Sequence, residues 1–65
     1  MSGNPTDGAG EIYFEFTAIG RNVKVSAIDA ATGTEVSIMG PVTAPRAALQ
    51  RLALQKLQAR LKARG

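Results

Sequence analysis

Apolar and polar residues alternate twice near the start of the chain. From Glu11 to Ala18, Ile12, Phe14, Phe16 and Ala18 fall on one parity and Glu11, Tyr13, Glu15 and Thr17 on the other. From Asn22 to Asp29, Val23, Val25 and Ala27 alternate with Lys24, Ser26 and Ile28. A period of two places alternate side chains on opposite faces of a strand, so both segments are predicted as strands with one apolar side. Between them stands Ile19-Gly20-Arg21-Asn22. Glycine at the first central position suits a two-residue type II′ turn, which would set Phe16 opposite Val25 and Phe14 opposite Ala27. Both pairs then fall on the apolar side, so turn and pattern agree.

Asp29-Ala30-Ala31-Thr32-Gly33-Thr34 reads as a second turn. Aspartate accepts backbone hydrogen bonds at its start, and Gly33 supplies a positive φ near its end. Pairing Asp29 with Thr34 sets Ala27 opposite Val36 and Val25 opposite Ile38, continuing the same apolar face into a third strand. That strand ends at Gly40-Pro41. Thr43 is the expected helix N-cap, with Pro45 in the first turn. Residues 47–63 contain no glycine, proline or β-branched residue and are rich in strong helix formers. The predicted fold class is α+β, a three-stranded antiparallel meander in the order 1-2-3 with one C-terminal helix on one face. Residues 11–64 form the single domain, and residues 1–10, rich in Gly, Ser, Asn and Pro, are expected to be a disordered tail. Ile12, Phe14, Phe16, Val25, Val36 and Ile38 form the predicted sheet side of the core. Phe14→Ala is expected to cost about 3–5 kcal/mol, enough to unfold so small a domain.

The helix carries more apolar surface than one sheet face requires. Leu49, Leu52, Ala53, Leu54, Leu57 and Leu61 spread over about 200° of its circumference, where an ordinary surface helix shows a stripe of about 100°. The surplus favours a partner, most simply a second copy, over the plainer reading that a wide arc on a single covering helix is all core. Size points the same way. A chain of 65 residues has little core, and with no cysteine and no histidine it lacks disulfides and the usual zinc ligands. Self-association or unusually good packing remains as the route to stability. Tyr13, Ile28, Met39, Leu54 and Leu61 are the candidate protein interface, and the edge of the third strand offers a further place for two copies to pair.

Charge is divided along the chain. Residues 1–35 carry five acids against Arg21 and Lys24, whereas residues 36–65 carry six basic residues and no acid. The rival reading is therefore a nucleic-acid-binding protein using Arg51, Lys56, Arg60, Lys62 and Arg64. Those residues are spread around the helix, and late basic residues also suit the negative end of its dipole. A basic leucine-bearing helix could also lie in an anionic membrane interface.

Catalysis is poorly supplied, and an enzyme is not expected. No histidine or cysteine offers a base or nucleophile near neutral pH. Ser26 and Ser37 are expected side by side on the open sheet face beside Glu15, where they read as a polar cross-strand row. No cofactor or metal is predicted. No apolar stretch nears the roughly 20 residues of a membrane span, no secretory leader is evident in residues 1–10, and the absence of cysteine fits a reducing compartment, so the location expected is cytoplasmic.

Over residues 11–61 the chain resembles a small family of alphaproteobacterial conserved hypothetical proteins. The segments that carry the likeness are Glu11–Phe16, Val23–Asp29, Thr32–Val36, Gly40-Pro41 and Ala44–Leu49. The resemblance implies a bacterial cytosolic protein and lends no residue a role.

Overall fold

A computed structural model describes residues 11–64. The chain forms strands β1 (Ile12–Ile19), β2 (Asn22–Asp29) and β3 (Glu35–Pro41), then helix α1 (Arg46–Arg64). The tail predicted over residues 1–10 lies outside the described residues.

Both hairpins have the expected register. Phe16 pairs with Val25 and Phe14 with Ala27 across β1 and β2. Val25 pairs with Ile38 and Ala27 with Val36 across β2 and β3, so the sheet order is β1-β2-β3. Gly20 has φ +60°, as a primed two-residue turn requires. In the second turn the Asp29 carboxylate accepts from the Thr32 backbone N–H at 3.0 Å and from the Thr32 hydroxyl at 2.7 Å. Asp29 also donates its N–H to the Thr34 carbonyl at 2.8 Å, and Gly33, at φ +75°, closes the loop. Asp29 is buried, and these bonds replace the water it has lost.

The helix begins later than the predicted cap allows. The Pro45 carbonyl accepts the first helical bonds, from Ala48 and Leu49 at 3.1 and 3.2 Å, which makes Pro45 the capping residue and removes Thr43 from that role. A Thr43 cap would need Ala44 in helical conformation, and a residue before proline is pushed out of that region.

The core centres on β2. Val23, Val25, Ala27 and Val36 are buried against Leu49, Ala53 and Leu57 of α1. The helix lies over β2 and β3 rather than over the middle of the sheet. The link between β3 and α1 is residues 42–45, and it returns the helix beside β3. Gly40 permits the close approach, because Leu49 fills the space where a β-carbon would stand. As a result Ile12, Phe14 and Phe16 of β1 pack against the core yet stay only half-buried, and Ala18, expected on the same apolar side, is exposed.

Candidate functional site

The five candidate interface residues occupy two different surfaces. Tyr13 and Met39, 53% and 54% exposed, stand on the sheet face away from the helix. Ile28 is on that face too, directly opposite Tyr13. Leu54 and Leu61 are half-buried on the helix, and Leu61 packs against the core. The open face is polar through its middle, with Ser26 between Glu15 and Ser37. The two serine hydroxyls meet at 3.0 Å. Ser26, in the central strand, is only 2% exposed. Tyr13 bends along its own strand, its hydroxyl donating to Glu11 Oε1 at 3.3 Å.

The basic residues are not gathered into one surface. Lys56 Nζ donates to the Ser37 carbonyl at 2.7 Å and so crosses to the rim of β3. Arg51, Arg60 and Lys62 are exposed, and Arg64 is the last helical residue. On the helical projection Arg51 and Lys62 lie nearly opposite Lys56 and Arg60, so the charges do not form one stripe. Arg46, not among the candidates, places its guanidinium carbon 4.1 Å from the centre of the Phe16 ring. That distance is a cation–π contact, and it covers the ring with a charged group where the helix does not reach.

The two rims of the sheet differ. The Ala30 N–H donates to the Glu11 carbonyl. Hydrogen-bonded and non-bonded pairs alternate in an antiparallel ladder. The residues of β1 that bond to β2 are thus Tyr13, Glu15, Thr17 and Ile19, and the N–H and C=O groups of Ile12, Phe14, Phe16 and Ala18 point outward. On the other rim, the Asp29–Thr34 bond fixes Glu35, Ser37 and Met39 as the outward residues of β3. There Lys56 occupies the Ser37 carbonyl and Pro41 ends the strand. A charged side chain and a proline are common devices for closing a strand edge. Among the described residues nothing bonds to the outward backbone groups of β1, and that rim borders the half-buried side chains of Ile12, Phe14 and Phe16.

Three exposed apolar residues escaped the sequence reading as surface features: Ile19, Val42 and Leu52. Ile19 shares the parity of Tyr13, and following that parity one residue into the turn would have placed it on the open face. Leu52 lies on the far side of the apolar arc from Leu54. Arg46 could have been placed from the helical period, one face with Ala53 and Leu57.

Residues 9–64 match the model of a domain of unknown function, DUF6898. The chain belongs to the DUF6898 family. No curated protein and no solved structure matches it. Among the described residues, the DUF6898 domain contains no group of three or more Asp and Glu side chains placed to hold a metal ion, and no helix long and apolar enough to cross a membrane.

Proposed function

We propose that the DUF6898 domain is a small non-enzymatic interaction module that works as a homodimer. The observation that carries this reading is the off-centre helix. It leaves the large side chains of β1 only half-buried beside a strand rim that is unpaired among the described residues, with Leu54 half-buried on the helix. An apolar strip of this kind next to free backbone donors and acceptors favours a protein partner over a small ligand. The working setting is the bacterial cytoplasm: the family resemblance supports the first word and a cysteine-free chain the second.

Sedimentation velocity over a concentration series tests the dimer. A species of twice the 6.8 kDa chain mass is expected in the micromolar range. A monomer throughout the series overturns the reading.

Nucleic-acid binding by Arg51, Lys56, Arg60, Lys62 and Arg64 is the weaker alternative. Lys56 is engaged with the rim of its own sheet. The remaining cations are dispersed, and Glu11, Glu15 and Glu35 share the open sheet face with Lys24. Fluorescence anisotropy with duplex DNA and RNA at two salt concentrations separates the readings, since phosphate contacts give steeply salt-dependent affinity. No such binding is expected at low ionic strength.

A further inference from the structure

We infer that two copies of the DUF6898 domain pair through β1, antiparallel, with Phe14 on the two-fold axis. This rests on the homodimer reading and specifies its geometry. A two-fold axis perpendicular to the sheet would join the meanders into one six-stranded sheet with both helices on the same side.

Only certain registers can form. The outward backbone groups belong to Ile12, Phe14, Phe16 and Ala18, so these residues must face one another across the new ladder. Like charges directly opposite one another destabilise a strand pair. An axis at Glu15 sets that carboxylate against its own copy. An axis at Tyr13 sets Glu11 against Glu15 twice. An axis at Phe16 avoids acidic pairs, but it faces Phe14 with Ala18 and leaves Ile12 opposite Gly20. An axis at Phe14 sets Phe14 against Phe14, Ile12 against Phe16, and Tyr13 against Glu15. That register pairs Ile12, Phe14 and Phe16, the half-buried apolar residues of β1, with one another and opposes no two acids.

The same register is complementary in charge. Glu11 of the second copy falls opposite Thr17, whose neighbour on β2 is Lys24. Thr17 is short enough for the Glu11 and Lys24 side chains to meet above it, once on each side of the axis. The helices also fit. At a strand spacing of about 4.8 Å, a helix over β2 and β3 lies about 10 Å from the axis, so the two helices stand about 20 Å apart. With a helix about 10 Å wide, the remaining gap is about the width of the two β1 side-chain rows.

The experiment uses the full chain, which has no native cysteine. Tyr13→Cys and Glu15→Cys are single substitutions at exposed positions, so both variants keep the core. Mixed in equal amounts under mild oxidation, they are expected to form a covalent dimer that neither forms alone, because residue 13 faces residue 15 of the second copy within disulfide reach. Covalent dimer from Glu15→Cys alone moves the axis to that residue and overturns the register. Wild-type chain that sediments as a dimer while the mixture stays uncrosslinked overturns pairing through β1 and leaves the homodimer intact. Wild-type chain that sediments only as a monomer removes both. Charge reversal adds a reversible readout. Glu11→Lys and Lys24→Glu should each weaken the dimer about three- to tenfold, and the double variant should restore it. Loss that deepens in the double variant counts against the Glu11–Lys24 contact.

Discussion

Leu49 of α1 lies directly over Gly40 of β3, with its side chain in the volume that a β-carbon on Gly40 would occupy. Cγ and both δ-carbons of Leu49 fall inside ordinary contact distance of that position, so the whole buried side chain would have to move. Gly40→Ala is therefore expected to destabilise the domain by about 1–3 kcal/mol, although alanine suits a strand no worse than glycine. Urea denaturation of the two proteins checks this. Combining Gly40→Ala with Leu49→Ala should recover part of the steric loss.

Leu57 and Phe14 should rank opposite to their sizes. Leu57 is fully buried between the helix and the sheet, and Leu57→Ala should cost about 2–5 kcal/mol. Phe14 is half-open in the monomer, so Phe14→Ala should cost about 1–3 kcal/mol in dilute protein, below the range for an enclosed ring. Unfolding measured at low protein concentration isolates the monomer terms. A loss larger for Phe14→Ala than for Leu57→Ala would show that β1 is covered.

Asp29 holds the second turn through its carboxylate. Asp29→Ala removes the carboxylate oxygen that accepts both Thr32 bonds in a buried setting and should cost about 1–3 kcal/mol. Asp29→Asn keeps a carbonyl oxygen in the same place and should lose less than half of that. Gly33→Ala should add about 1 kcal/mol of strain, since φ +75° is poorly tolerated by a residue with a β-carbon. Thermal unfolding of the three variants tests the ranking.

Lys56 closes the β3 rim at Ser37. Lys56→Met preserves the apolar stem and deletes the donor. Because the side chain is exposed, the stability change should be small, about 0.5–1 kcal/mol. The larger expected change is in association: with the Ser37 carbonyl freed, β3 becomes a second pairing edge, and light scattering should show species beyond the dimer.

The strands, their register and the shared apolar face were legible because local signals agree. Gly20 and Gly33 set two turns independently: the first sets Val25 and Ala27 opposite Phe16 and Phe14, and the second sets them opposite Ile38 and Val36. The lateral position of the helix was not legible. A period of two reports the face of a sheet and says nothing about which strands of that face a helix covers. That choice goes with Gly40, whose missing side chain matters only once Leu49 is seated on it. The N-cap was misplaced because the restriction Pro45 imposes on Ala44 was not weighed against the capping tendency of Thr43. The candidate interface was legible as apolar surplus, but its division between two surfaces depends on which helix leucines turn inward. The engagement of Lys56 and Arg46 with the sheet had no signal in composition, since a basic residue reads alike whether it faces water or a neighbouring strand.

Because β1 pairs only with β2, β2 with β3, and the helix docks back on the two strands that precede it, most contacts between elements join neighbours in the chain. Such a topology has little loop-closure entropy to overcome. The DUF6898 domain should therefore refold within milliseconds, in the range of small mixed domains of low contact order, with the final hairpin and helix able to collapse before the first strand is added.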